Sequence, residues 1–424
     1  MNCLSTGPAM IFGPHFRYLI QKDNSTNMKT FFLIACFVLL FAAEISRVYY
    51  IMPFPGSQQS KSIGYAYWIH NNILWIRMCL VALIIAKIGS VFKRSRLLGK
   101  IILVVVSIVY LVVFYLFNYR FQADKMFLQP SKVLFEDSAA SRVDTKKLVL
   151  GVAMDGEAKA YPIQVIGYHH QIRDSLGGKP VLVTYCTVCR TGRVFSPVVN
   201  GKTETFRLVG MDHFNAMFED VTTNSWWQQA TGVAVAGPLK GKVLAELPSV
   251  QTTLDVWLNR YPQSLVLQPD TLFNQQYASL KKFDDGTTKD ALEKRDSASW
   301  KFKSWVIGVD NDHGAMAYDW NQLVKERLIQ DSLPRLPLVI TLQSDTASFN
   351  VLNRNVGTQT LSFVLDDSGG MTDTNTGSSW TLAGECIDGA LKGERLSAVQ
   401  ASQEFWHSWK TFHPHTKTFD YAIH

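Results

Sequence analysis

Eighteen consecutive residues without a charge, IILVVVSIVYLVVFYLFN from Ile101 to Asn118, constrain this chain more than any other feature. A helix needs about 20 apolar residues to cross the hydrocarbon layer of a bilayer, and a run of this kind has no comparable home in a water-soluble core of ordinary size. Two further runs, Phe31 to Met52 and Ile73 to Phe92, have similar length but contain Glu44 and Arg47 in one and Arg77 and Lys87 in the other. Intramembrane charges are costly and tend either to pair or to reach toward the head groups, and these four are expected to do so. The expected architecture is an α-helical membrane anchor of three transmembrane helices over residues 31–120. A cytoplasmic segment of residues 1–30 precedes it and a soluble part follows.

Orientation is read from Lys and Arg, which concentrate in short cytoplasmic loops. The connection KRSRLLGK carries Lys93, Arg94, Arg96 and Lys100, whereas Pro53 to Tyr67 carries only Lys61. The first connection is therefore expected inside. Arg17, Lys22 and Lys29 precede the first run and put the N-terminus inside too. Everything after Arg120 is then sent outside, into the periplasm of a diderm cell, with the inner membrane and its lipid as the one certain partner. Reading the first run as a cleaved signal peptide would leave that placement unchanged, although the leader before it is long and its cleavage site poor. The net charge of +7 gives no support to nucleic-acid binding, because the soluble part has no basic stripe with interleaved aromatics.

The soluble part matches itself. Gly151, Ala160, Tyr161, Pro180 and Thr184 fall on Gly308, Ala317, Tyr318, Pro337 and Thr341 at a constant offset of 157. Farther on, Thr223 and Trp227 fall on Thr376 and Trp380, and Gly237, Leu239, Trp257 and Pro262 fall on Gly389, Leu391, Trp409 and Pro414. Matches at nearly constant spacing are the mark of an internal duplication. The expected copies are residues 146–267 and 303–424. Each is mainly β with one short helix, hence α+β, because runs such as PVLVTY and PLVITL alternate with turns while Leu254, Trp257, Leu258 and Tyr261 recur on one helical face. The tryptophans, shared by both copies, are expected in the core. Residues 268–302, with DDGTTKDALEKRD at their centre, are expected to be a solvated linker.

The copies part at one place. The first reads TYCTVCRTGRVF from Thr184 to Phe195, the second TLQSDTASF from Thr341 to Phe349, with both cysteines gone. Of six cysteines, Cys3, Cys36 and Cys79 belong to the membrane part, leaving Cys186, Cys189 and Cys386. A C-x-x-C pair can close a redox-active disulfide, give two thiolates to a metal, or form a structural disulfide. A c-type haem is disfavoured because Arg190 follows the second cysteine, and three exported cysteines cannot make a four-cysteine zinc site. Histidines of the same copy are the other candidate ligands: His169, beside His170 in GYHHQIRD, and His213 in VGMDHFNAMFED. With Cys186 and Cys189 they would suit zinc, copper or iron. If the pair is redox-active instead, Cys186 and Cys189 are the catalytic residues. Arg190 and Arg193 would then favour the thiolate, although TGRVFSPV continues as β structure where a thioredoxin-type motif would open a helix. No G-x-S-x-G elbow, Walker A loop or H-E-x-x-H helix is present.

These motifs resemble a bacterial and archaeal family of unknown function, DUF3179. Its pattern G-V-x-x-x-G-E-x-x-A-Y-P, an H-E-x-x-x-D-like element, T-Y-C-P-L-C-G-T, T-x-S-x-W-x-Q-x-T-G and G-P-L-x-G appears here as GVAMDGEAKAYP, HHQIRD, TYCTVCRTG, TNSWWQQATG and GPLKG. The resemblance implies that His169, Cys186 and Cys189 are family positions, and it implies no established activity. Two departures stand out: Thr187-Val188 replaces Pro-Leu, and Arg190 replaces Gly. A missing glycine predicts a looser sulfur-cradling turn. Two readings follow, a Cys/His metal or thiol site, or a binding scaffold stapled by a structural Cys186–Cys189 disulfide.

Overall fold

The computed structural model describes residues 14–311 and 313–421, so Cys3 lies outside the described residues. The chain divides into two compact units, residues 1–57 with 61–122, and 58–60 with 123–424.

The first unit is helical: α1 (Pro14–Tyr49), α2 (Ile63–Arg94) and α3 (Leu97–Tyr115), the last continuing through a π-helical turn at Leu116–Arg120. All three are long and apolar enough to cross a membrane, over Asn27–Tyr49, Ile63–Arg94 and Leu97–Arg120. Helices suit that solvent because every backbone group bonds within its own segment. The second begins ten residues earlier than the apolar run alone indicated, since Tyr65, Trp68 and Asn72 extend it without breaking its hydrogen bonds. Leu33, Cys36, Phe37 and Leu40 pack with Ile84 and Val91, while Ile101, Val105, Ile108 and Leu111 point outward. Two of the embedded charges pair with each other. Arg77 grips the buried Glu44 carboxylate through Nε at 2.6 Å and Nη2 at 2.9 Å. Tyr110 and Asn118 each donate to it at 3.2 Å, and Arg47 donates to Asn118 Oδ1. A polar group at this depth is stable only when so satisfied.

The second unit is β-rich and is built of many small sheets. Its first half opens with the hairpin β1 (Leu148–Met154) and β2 (Glu157–Pro162), followed by α4 (Ile163–His169). A three-stranded sheet comes next, β3 (Gln171–Leu176), β4 (Lys179–Cys186) and β5 (Thr191–Phe195). A four-stranded meander follows, β6 (Phe206–Asp212), β7 (Asn215–Asp220), β8 (Trp226–Gln228) and β9 (Ala234–Ala236). The chain then returns to the first sheet with β10 (Val250–Thr253), α5 (Leu254–Arg260) and β11 (Leu265–Leu267), giving the order β11-β2-β1-β10 with Phe135–Glu136 on the edge.

The second half repeats this order. It has the hairpin β12 (Trp305–Asn311) and β13 (Gly314–Asp319), α7 (Trp320–Glu326), and the sheet β14 (Leu328–Leu333), β15 (Leu336–Leu342) and β16 (Phe349–Asn353). The meander is β17 (Phe363–Leu365), β18 (Met371–Asp373), β19 (Ser379–Trp380) and β20 (Cys386–Asp388). The return is β21 (Ser402–Phe405), α8 (Trp406–Phe412) and β22 (Lys417–Thr418), in the order β22-β13-β12-β21. Both returns end in a parallel pairing onto the second strand of the hairpin.

The matched residues carry matched contacts. Gly151 lies flat under Trp257, and Gly308 under Trp409: a Cβ added at either would meet the ring at 2.3 and 2.2 Å. Tyr161 donates to Asp174, and Tyr318 to Asp331, both at 2.7 Å. Trp227 and Trp380 donate to Asp220 and Asp373, both at 2.9 Å. These aromatics are core, as their sharing suggested.

The segment 268–302 is not an open tether. Asp270 caps the turn Thr271–Phe273 by accepting from Leu272 N, and α6 (Asn274–Ser279) follows. Phe273, Tyr277, Leu280 and Phe283 enter the first-half core beside Tyr161, Ile166 and Tyr185. Their three- and four-residue spacing is that of one helical face, and it outweighs the charges between them.

Candidate functional site

Cys186 ends β4, and pairing with Thr191 at the start of β5 closes the hairpin around Thr187–Arg190. Arg190 N donates to Thr187 O at 3.2 Å, and Arg190 sits at φ +56°. That left-handed conformation costs an ordinary residue about 1–2 kcal/mol. Here the side chain holds the turn in it. Its guanidinium is buried and donates to Gln403 Oε1 (2.8 Å), Phe283 O (3.1 Å) and Asp284 O (3.2 Å), and it lies over the Trp305 ring at 3.8 Å. The turn keeps the shape a glycine would allow, stabilised by contacts a glycine would lack, so the looser turn expected from the glycine's loss is not what forms.

Both cysteines are unbridged and fully buried. As a thiol, Cys186 reaches Phe214 O at 3.5 Å. Burial by itself pushes its acidity down. Hydrogen bonds from the Cys189 thiol and from the Ala216 and Cys189 backbones, with the nearby Lys303 ammonium, outweigh burial and hold Cys186 below the ordinary thiol value. Cys189 goes the other way, raised well above that value by burial, by donating to Cys186 and by the charge of Cys186. The two sulfurs are thus shifted in opposite directions, Cys186 down and Cys189 up.

The second half supplies the rest of the surroundings. Phe405 N donates to Cys189 O at 3.0 Å. Lys303 is buried and donates to Val188 O at 2.6 Å and to Leu292 O. His407 approaches the same Val188 O through Nε2 at 3.3 Å and stacks on Phe302, ring centres 4.2 Å apart. Burial, then the Lys303 charge, pushes His407 down to about 3, so it is neutral at ordinary pH. Ser408 bonds to Thr191 Oγ1 at 3.2 Å and Glu404 at 2.9 Å. Phe214 meets both Phe302 and His407 edge-on. Phe302 is itself exposed, so this aromatic trio runs from the buried turn to the surface.

The arginines next to the motif do not act as expected. Arg190 is held as described, and Arg193 is consumed by Glu404 at 2.6 Å, with Ser402 and Ala230 O as further acceptors. The cation facing the sulfurs is Lys303, more than a hundred positions away, which local sequence could not indicate.

The histidines do not join the pair either. His169 Nδ1 lies 2.5 Å from Leu128 O, an atom that can only accept, so Nδ1 carries the proton and Nε2 accepts from the Tyr277 hydroxyl at 2.6 Å. The lone pair a metal would need is already used. His213, at φ +50°, turns its Nδ1 to Asp212 Oδ1 at 2.5 Å. His170 caps α4 in a left-handed conformation and donates to Tyr168 O at 3.1 Å; burial pushes it down to about 4. Among the described residues, no group of three or more His, Cys, Asp or Glu side chains is placed to hold a metal ion. The structure therefore does not bring His169 and His213 together with Cys186 and Cys189 as one ligand group; each imidazole instead bonds its own neighbours.

Fold and site together define a protein with three helices long and apolar enough to cross a membrane and a β-rich domain whose two halves meet over a pair of buried cysteines. Residues 131–416 match the family model described as protein of unknown function (DUF3179), and the chain belongs to that family. Neither a curated protein nor a solved structure shows significant similarity to it.

Proposed function

We propose that the β-rich domain stands on the extracytoplasmic side of the membrane and carries a thiol–disulfide redox pair, Cys186 and Cys189. The observation behind this is the placing of the pair: two unbridged, buried cysteines flank one hairpin turn, Cys186 paired with Thr191 at its start and Cys189 O held by Phe405 N at its end. In the reaction, the Cys186 thiolate attacks one sulfur of a small disulfide, a mixed disulfide forms, and the other sulfur leaves as a thiolate. Cys189 then gives up its proton and attacks Cys186 Sγ, releasing the second thiolate and leaving Cys186–Cys189 oxidised by two electrons. The second half acts as the other wall of the site. Its recurring strand order and paired Gly–Trp contacts support descent from a duplicated unit that kept the cysteines in one copy. The placement outside is supported by KRSR and Lys100 between the second and third spans.

Complete burial of both sulfurs favours a second reading, a binding or scaffold module in which the pair is a structural disulfide. One experiment separates them. The full chain in detergent micelles is equilibrated with reduced and oxidised glutathione and quenched with a maleimide, and the state of each cysteine is read by mass spectrometry. The redox reading expects reversible conversion that disappears in Cys186→Ser and Cys189→Ser, with the fold retained in either state. A pair that never exchanges, or a domain that melts when reduced, overturns it in favour of the scaffold.

A further inference from the structure

Lys303 stands out among the buried cations. Arg193 and Arg77 each have a carboxylate at 2.6 Å, whereas among the described residues Lys303 has no carboxylate oxygen within ion-pairing reach. Its Nζ is held by two backbone carbonyls, Val188 O and Leu292 O, the first being part of the cysteine turn itself. Glu293 and Asp290 lie farther off, and His407 beside it is neutral. A buried ammonium with no anion in direct contact is costly, and the dithiol, whose own turn holds Nζ through Val188 O, adds a negative charge when it ionises that acts on Lys303 ahead of Glu293 and Asp290.

We propose that Lys303 is the counter-ion of the reduced pair, and that it makes the Cys186–Cys189 disulfide an oxidant of peptide dithiols. This rests on the redox reading above. Closing the disulfide removes the thiolate and leaves the ammonium unpaired, so Lys303 favours the reduced state; a disulfide whose reduced form is stabilised is a strong oxidant. In the step itself, a substrate thiolate attacks Cys186 Sγ and the Cys186–Cys189 bond breaks, with Cys189 leaving and taking a proton. The second substrate thiolate attacks its own partner sulfur, and Cys186 leaves as the thiolate beside Lys303. Two electrons pass to the protein, and the substrate gains one disulfide. The second half thus contributes a positioning charge to a site whose sulfurs all come from the first, which gives the cysteine-free half a role in the chemistry.

The test needs the full chain in micelles and glutathione buffers. Lys303→Gln retains a donor for the two carbonyls and removes the charge. Its pair is expected to oxidise at a ratio of oxidised glutathione about tenfold lower than wild type, while Lys303→Arg stays near wild type. Wild type alone gives an independent reading: the reduced chain is expected to melt at a higher temperature than the oxidised chain, because what stabilises thiolate in the fold must stabilise the fold when reduced. Equal ratios for wild type and Lys303→Gln, or an oxidised chain that melts higher, overturn the role of Lys303 while leaving the redox pair standing. Failure of wild type to exchange at all overturns the underlying reading instead.

Discussion

The two halves of the β-rich domain share a frame and differ at one hairpin. In the first, β4 and β5 are joined by the tight turn Thr187–Arg190 that carries Cys189 and follows Cys186; in the second, β15 and β16 are joined by the longer, cysteine-free Gln343–Ser348, tied by Asp345 to Ser348 and Ala347. The matched position on the return helix differs as well. Asp255 on α5 is exposed, while His407 on α8 is buried against the cysteine turn. The frame tolerates such exchange because its stability lies elsewhere, in Gly–Trp and Tyr–Asp contacts that both halves retain.

If that is so, breaking the frame should be equally severe on either side. Gly151→Val and Gly308→Val each drive a branched side chain into a tryptophan ring, and each is expected to cost roughly 3 kcal/mol or more in thermal or urea unfolding. A mild effect in one half alone would show that only one copy depends on the device.

Glu404→Gln probes the seam between the halves. Glu404 is buried and takes Arg193 Nη2 at 2.6 Å, so the variant leaves the buried guanidinium with only the more distant Glu246 at 3.5 Å and is expected to cost about 3 kcal/mol. The loss should be read in unfolding of the whole β-rich domain as one transition, since the pair joins β5 to β21.

Above about pH 5 the smallest effect is one of pH. His407 is held near 3 in the fold against about 6.5 when unfolded, so below pH 6.5 the unfolded chain binds the proton more readily. Its contribution is complete above that pH and is lost by roughly 1.4 kcal/mol per pH unit as the pH falls from about 6.5 toward 3. His407→Gln should flatten that slope, leaving the smaller part due to His170. Asp255→Asn, at the matched position, should leave this window unchanged. An identical slope in wild type and His407→Gln would remove His407 from the buried site.

Much of this was legible in the sequence, for physical reasons that can be named. Long apolar runs are legible without any partner, so the three stretches apolar enough to cross a membrane were read to within about ten residues. Like contacts call for like residues, which is why Gly151 with Gly308 and Trp257 with Trp409 lined up. The cysteine pair was visible because its two members are neighbours. Lys303 and His407 were not, since no local pattern says that a lysine after a charged segment folds back under a hairpin from the other half. His169 and His213 misled because an imidazole beside a cysteine motif looks the same in sequence whether its lone pair faces a metal or a tyrosine hydroxyl. The segment 268–302 misled because its charges hid the Phe273, Tyr277 and Leu280 stripe.

The distance between the sulfurs and their neighbours also sets a schedule. Val188 and His407 are 219 positions apart. A ribosome adding about 5–20 residues per second therefore makes the cysteines roughly ten to forty seconds before the chain that buries them. For the first half of that interval Lys303 and Phe302 are not yet made, and through all of it the turn lacks His407. Newly made molecules thus pass through a window of vulnerability to premature oxidation that finished ones have left, and the C-terminal residues 402–412 are what close it.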